Sequence, residues 1–62
     1  MTELERLREA RDVQGRLGNW NYDPYQRGLY NGLELALSVI EVRNPKFKDE
    51  PEDGYLCDVP KR

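Results

Sequence analysis

Residues 18–32 read GNWNYDPYQRGLYNG, and this stretch decides how the chain folds. Gly18 favours a left-handed helix end, and Asn19 and Asn21 are typical of turns. Asp23-Pro24 is a helix start, because aspartate at the N-cap accepts backbone N–H groups and proline at the first helical position lacks an N–H that would have no partner. The stretch therefore predicts a junction between two helices.

The helix before the junction is predicted to begin at Thr2, which forms a capping-box pattern with Glu5, and to end near residues 16–18. At about 100° per residue, its apolar residues share one side and most of its charged residues share the other. The apolar side holds Leu7, Ala10, Val13 and Leu17. The charged side is interpreted as a solvent-facing surface with ion pairs one turn apart, between Arg8 and Asp12 and between Asp12 and Arg16.

The helix after the junction is predicted over about Pro24 to Val42, and its apolar arc is unusually wide. Apolar and small residues span roughly 240° in projection, leaving only a narrow polar strip of Arg27, Asn31, Glu34, Ser38 and Glu41. One short helix cannot cover such an arc. We expect an uncovered remainder that includes Leu35, Val39 and Val42, and a second copy of the chain is its simplest cover.

Small residues recur at every fourth position of this arc. They form a shallow groove in which another backbone can approach closely. Interior glycines cost about 1 kcal/mol each relative to alanine, which indicates that the groove is filled. The occupant is either the first helix of the same chain or the second helix of a neighbour. We predict a two-fold dimer whose self-association residues are Gly28, Gly32, Leu35, Ala36, Val39 and Val42.

The remainder of the chain carries three of the four prolines and is mostly polar, which excludes regular helix over much of it. Phe47 and residues 55–57 are candidates to pack back onto the hairpin, and the alternative is a partner-binding segment. Cys57 is interpreted as a small apolar contact. The predicted fold class is all-α, with a two-helix hairpin domain over residues 1–47, an irregular acidic tail over residues 48–62, and completion by oligomerisation.

Composition excludes several classes of protein. A chain of 62 residues holds one small domain whose core is marginal without a staple or a partner. A single cysteine forms no internal disulfide and the absence of histidine removes the familiar zinc ligand sets, so we expect no metal and no cofactor. With a net charge of −2, the chain has no general electrostatic attraction for nucleic acid, and we expect no nucleic-acid partner. No apolar stretch reaches membrane length, and we expect no membrane partner. We expect a cytoplasmic protein.

Enzymatic chemistry finds little support in the sequence. Histidine-based acid–base and triad mechanisms are excluded, and Ser38 lies in a predicted helix without a Gly-x-Ser-x-Gly elbow. Gly28 and Gly32 also lie inside a helix rather than in a phosphate-binding loop. We predict no catalytic residues and no enzyme activity.

The aromatic residues of the junction have two interpretations. Trp20 and Tyr22 either close the end of the hairpin, because a small core needs large side chains, or form a recognition surface. In the second interpretation the surface binds a partner or a ligand through Asn19, Trp20, Asn21, Tyr22 and Arg27. The sequence leaves both open.

The run NWNYDPYQRGLYNGLELA, followed closely by NPKF, resembles a group of short proteins of tailed bacteriophages. Their common feature is an Asn-Trp-Asn-Tyr-Asp-Pro-Tyr motif followed by glycines and a hydrophobic helix. The resemblance implies a phage or prophage origin and supplies no catalytic residue or ligand.

With this context, the leading hypothesis is an accessory protein in the cytoplasm of the infected bacterium. It would bind a bacterial host protein, either in host takeover or as an inhibitor of an antiviral defence. The alternatives are an oligomeric protein that sequesters a small ligand such as a nucleotide signal, and a structural component of the virion.

Overall fold

The computed structural model describes residues 2–58, and over this range it contains two α-helices and no strand. Helix α1 spans Glu3–Gln14 and helix α2 spans Pro24–Glu41, and a single 3₁₀ turn follows at Leu56–Asp58. The two α-helices pack against each other. The prediction of an all-α hairpin with an irregular tail is confirmed.

Helix α1 begins as predicted and ends earlier than predicted. The Thr2 hydroxyl accepts from the Glu5 amide at 3.1 Å, and the Glu5 carboxylate accepts from the Thr2 amide, so the capping box is formed. The helix ends at Gln14 because the junction provides its own partners for the last carbonyl groups. The Asn19 side-chain amide donates to the Val13 carbonyl at 2.7 Å. Gly18 has a φ of +93° but serves a junction turn rather than the helix end.

Helix α2 has the predicted start. An Asp23 carboxylate oxygen accepts from the Gln26 amide at 2.7 Å, and Pro24 occupies the first turn. The helix ends at Glu41, and Val42 takes a left-handed conformation with a φ of 53°. A β-branched residue rarely adopts this conformation, and here it turns Arg43 back so that its amide donates to the Ser38 carbonyl.

The side of α1 that faces α2 differs from the prediction. Ala10, Val13 and Leu17 are exposed, and Leu7 is the one member of the predicted apolar side that is partly buried. The partly buried residues of α1 instead follow the sequence Leu4, Leu7, Arg8, Arg11 and Gln14. The predicted ion pairs with Asp12 do not form as drawn, because Arg8 binds Glu41 across the helix pair and Asp12 contacts Arg11.

The interior of the hairpin is partly polar. Leu37 is the one fully buried apolar side chain among residues 2–58, and its buried neighbours in α2 are Glu34, which is 2% exposed, and Ser38. Successive cross-helix contacts join Arg8 to Glu41, Arg11 to Glu34 and Gln14 to Gln26, so the helices are antiparallel. The polar strip of α2 therefore lies inside.

The tail runs back along α2 in the opposite direction and is held through its backbone. The Lys46 amide donates to Glu34, and the Leu56 and Cys57 amides donate to the carbonyl groups of Asn21 and Tyr22. Phe47, predicted to pack back onto the hairpin, has a half-exposed side chain. Met1 and residues 59–62 lie outside the described residues. The described chain measures 44 × 23 × 14 Å.

Candidate functional site

One side of α2 is an uncovered apolar surface, which we call the apolar face. Val42 is 90% exposed, and Val39 and Tyr25 are each 70% exposed. All residues of this face are exposed to solvent, and none is charged at neutral pH. They are Tyr25, Gly28, Leu29, Gly32, Leu35, Ala36, Val39, Ile40 and Val42. The residues predicted for self-association all lie on this face.

The period of the helix explains why these residues share one side. At about 100° per residue they cover roughly 160°, and the residues that contact α1 and the tail occupy the remainder. A side chain added at Gly28 or Gly32 would meet no atom within 4 Å. Of the two occupants that the sequence left open for the small-residue groove, α1 of the same chain is therefore excluded.

The opposite side of α2 holds a buried carboxylate, Glu34. Its two oxygens accept from Arg43 at 2.6 and 3.0 Å, from Arg11 at 3.0 Å and from the Lys46 amide at 2.7 Å. The hydrogen bonds from Arg43, with those from the Lys46 amide and Arg11, lower the pKa of Glu34 to about 2 despite its burial. The ionised form is thus held by donors from α1, α2's end and the tail.

Glu41, about two helical turns after Glu34, extends this network. It accepts from Arg8 at 2.7 and 2.9 Å and from Arg43 at 2.9 Å. The hydrogen bonds that Arg8 and Arg43 donate lower the pKa of Glu41. The hydrogen bonds that Arg43 donates to Glu34 and Glu41 raise the pKa of Arg43. Three arginines and two glutamates therefore fix the open end of the hairpin, and the left-handed Val42 is what brings Arg43 between the two carboxylates.

The middle of the tail is anchored at Lys48. The Asn31 side chain accepts from the Lys48 amide at 2.9 Å and donates to the Lys48 carbonyl at 3.1 Å. Arg27 donates to the same carbonyl at 3.3 Å. The Lys48 ammonium lies 4.9 Å from the Trp20 ring centre and 5.0 Å from that of Tyr30, within the range of cation–π attraction.

The junction residues are divided between structural and accessible positions. The amides of Asn19 and Asn21 are used by the turn, since Asn19 donates to Val13 and Asn21 accepts from the Gly18 amide at 2.6 Å. Trp20 is partly buried beside Lys48, and Tyr22 is half exposed. The five residues predicted as a binding surface therefore do not converge on one pocket.

A shallow groove does lie where the junction meets the tail, and we call it the junction groove. It is lined by Trp20, by Leu17, which is 85% exposed, and by the half-exposed Leu56. The acidic residues Glu52 and Asp53 line the tail side of the groove. The groove thus combines accessible apolar side chains with negative charge.

The described residues show no arrangement typical of nucleophilic catalysis or metal binding. The Ser38 hydroxyl donates to the Leu35 carbonyl. Cys57 was predicted as an apolar contact, and its residue is exposed. Desolvation of the sulfur by neighbouring atoms, followed by the negative charge of Asp58, raises the pKa of its thiol. Over residues 2–58, no group of three histidine, cysteine, aspartate or glutamate side chains is placed to hold a metal ion.

Comparison with protein-family models, with curated proteins and with solved structures gave no match. No helix within residues 2–58 is long and apolar enough to cross a membrane.

Sequence reasoning missed the buried network and the anchor of the tail. The sequence analysis did not identify Arg43 or Lys48 as important residues. It identified the polar strip of α2 but did not predict that this strip forms the inner side of the helix. A signal was available in the order of the charges, because antiparallel helices bring Arg8 of α1 toward Glu41 at the end of α2, and the later Arg11 toward the earlier Glu34. Tyr25, Leu29 and Ile40 belonged to the predicted arc but not to the predicted self-association residues.

Proposed function

We propose that this chain is a small accessory protein of the bacteriophage type, that it assembles as a homodimer, and that it acts by binding a protein of the bacterial host. The observation that carries the homodimer is the apolar face, and the junction groove supports the host-protein partner. Monomeric proteins rarely expose a contiguous apolar surface of this extent, and such surfaces mark association with other proteins. The motif at residues 19–25 supplies the phage context, and with it a site of action in the cytoplasm of the infected bacterium.

The junction groove is the surface that we assign to the host protein. Leu17 and Leu56 line this groove together with Trp20, and tryptophan is one of the residue types enriched among those that carry most of an interface's binding energy. Glu52 and Asp53 favour a partner with basic residues around an apolar centre. Binding there would serve host takeover or the inhibition of an antiviral defence.

The alternative of ligand sequestration has less support. Asn19, Asn21 and Arg27 each use one polar side-chain atom in a hydrogen bond to the chain's own backbone, which fixes these side chains within the fold. A nucleotide would need these groups as donors or acceptors.

The experiment is affinity capture of the tagged full chain from a bacterial lysate after cross-linking, followed by mass spectrometry. We expect one host protein in a fixed ratio to the bait, and its loss with Leu17→Ser. Phe47→Ser is the matched control, because Phe47, like Leu17, is an exposed apolar residue, but it does not line the groove.

Capture that is equal for Leu17→Ser and wild type would contradict the assignment of the groove. A bait that recovers no host protein and carries a small molecule through purification instead would overturn the proposal in favour of ligand sequestration.

A further inference from the structure

Gly32 lies at the centre of the apolar face in both directions. Along the axis, it is the ninth residue of α2, which has 18 residues over Pro24–Glu41. Around the axis, the exposed arc of roughly 160° has Gly32 near its middle, with Val42 near one edge and Ile40 at the other. The residue at this central position has no side chain, and nothing lies within 4 Å of where a Cβ would stand.

Apolar residues are placed symmetrically on either side of Gly32. Four residues before it stands Gly28 and four after it Ala36, and three residues away stand Leu29 and Leu35. Seven residues away stand Tyr25 and Val39. The outermost helical residues match as well, since Pro24 and Ile40 are both exposed and each stands eight residues from Gly32.

We infer that a second copy of the chain covers the apolar face, with the two α2 helices antiparallel and a two-fold axis at Gly32. This inference rests on the proposed self-association and specifies its geometry. In an interface of this symmetry, residue i contacts residue j of the partner and residue j contacts residue i. Each position of the face then meets the position equally far from Gly32 on the other side.

The sizes of the paired residues suit this arrangement. The two Gly32 residues meet at the axis, where the absence of side chains lets the helix backbones approach closely. Gly28 lies opposite Ala36, so the contact four residues from the axis is also small. Leu29 and Leu35, three residues from Gly32, stand about 60° to either side of it around the helix, where the curved surfaces of two helices leave more room. Tyr25 and Val39 lie seven residues away, where crossing helices diverge.

Charge and length suit a second copy of the chain. The face carries no charged group, so its cover must be an uncharged apolar surface, and the same face of another copy has that property. The face is about 26 Å long from Tyr25 to Val42 at 1.5 Å per residue, and the same face of an antiparallel copy is equally long. Leu37 is the one fully buried apolar side chain among residues 2–58, so burial of the face in a dimer adds apolar contacts that the chain lacks on its own.

The first measurement is the mass of the full chain by light scattering at micromolar concentration. We expect two chains for wild type and a dissociation constant roughly 5- to 150-fold weaker for Gly32→Leu, because leucine overpacks the axis. The variant should keep its helix, since residue 32 has open space within its own chain and leucine favours helix more than glycine. Circular dichroism checks this. Phe47→Ser, at an exposed position off the face, should retain the mass of two chains.

The second measurement tests the antiparallel arrangement by oxidative cross-linking in a Cys57→Ser background. Gly28→Cys and Ala36→Cys are prepared as separate chains. In the antiparallel dimer, equal positions lie about 12 Å apart along the axis, too far for a disulfide, so neither chain should cross-link alone. A mixture of the two chains should form a disulfide-linked dimer.

A wild-type mass of one chain overturns the inference, as does cross-linking of either single variant alone, which indicates parallel helices. A mixture that fails to cross-link while the mass is two chains overturns it as well. Capture of the host protein separates this inference from the proposed function. A monomer that still captures a host protein defeats the dimer alone, and a dimer that captures none defeats the host-binding proposal alone.

Discussion

At the scale of single residues, Glu34 is the most consequential side chain of the interior. A buried carboxylate is unfavourable unless charged and polar donors surround it, and here two arginines and a backbone amide do so. Neutralising residue 34, by protonation or as glutamine, leaves one full acceptor oxygen and places a donor against the guanidinium groups, and that loss exceeds the loss of one ordinary hydrogen bond. The chain thus depends on one ionised group that also reports on pH.

Glu34→Gln should change the acid stability of the protein. The pKa of Glu34 falls from its ordinary value of 4.5 to about 2 on folding. Because the folded pKa is the lower one, the unfolded chain binds the proton first as the pH falls, so the stability from Glu34 is complete above about pH 5 and disappears between about pH 4.5 and 2. We expect the variant to be less stable by about 1–3 kcal/mol at pH 7 and to converge with wild type near pH 2.

Urea unfolding measured across this pH range tests the prediction. Glu9→Gln is the control, since Glu9 is exposed and makes no hydrogen bond within the described residues. An unchanged acid slope in Glu34→Gln would show that other carboxylates govern the acid response.

Gly15→Ala should destabilise the hairpin through a steric contact. A Cβ at residue 15 would lie 2.7 Å from Cε2 of Tyr30, so the ring must move away from the junction. We expect a loss of about 1–3 kcal/mol in the free energy of unfolding, which is typical of overpacking. In a Tyr30→Ala background the same substitution should have little effect, and an equal loss in both backgrounds would contradict the contact.

At the scale of elements, the helix starts were predictable and the choice of inner face was not. Thr2 with Glu5 and Asp23 with Pro24 act on backbone groups within one turn, so the local sequence carries the whole signal. The same locality explains the error at the end of α1, because the Asn19 amide that binds the Val13 carbonyl comes from six residues further along the chain.

The inner face of α2 depends on partners that are distant in sequence. Hydrophobic periodicity alone would turn the apolar arc of α2 inward. The ion pairs of Glu34 and Glu41 with α1 and Arg43, and the hydrogen bonds to the tail backbone, hold the polar strip inside instead. The candidate site was predictable in part, since the width of the arc indicated an uncovered remainder, whereas the position of the junction groove depends on how the tail docks.

Asn31→Ala should release the middle of the tail. Two hydrogen bonds to the Lys48 backbone disappear, and the Lys48 ammonium loses its fixed position near Trp20 and Tyr30. We expect faster hydrogen exchange at the Lys48 amide and a red shift of Trp20 fluorescence as the ring meets more water.

The matched control is Asn44→Ala, because the exposed Asn44 side chain makes no hydrogen bond within residues 2–58. Equal exchange rates at Lys48 in wild type and Asn31→Ala would contradict the anchoring role of Asn31.

At the scale of the whole molecule, the proposed dimer makes thermal stability depend on protein concentration. Association stabilises the folded chain by mass action, so Tm should rise steadily from about 1 to 100 μM chain. In Gly32→Leu, which keeps the intrachain contacts, the rise should begin at a concentration roughly 5- to 150-fold higher. Differential scanning calorimetry measures both. A wild-type Tm independent of concentration would show that one chain unfolds alone.

The placement of apolar residues outside the chain's own interior also separates two responses to cooling. Attraction between apolar surfaces weakens as water is cooled. Exposing apolar surface to water raises the heat capacity strongly, whereas exposing polar surface lowers it. In the proposed dimer the apolar contribution belongs mainly to the interface, and the ion pairs of Glu34 and Glu41 belong to each chain. Chilling should therefore loosen the contact between subunits before it disturbs the hairpin, and the protein would dissociate in the cold as folded chains.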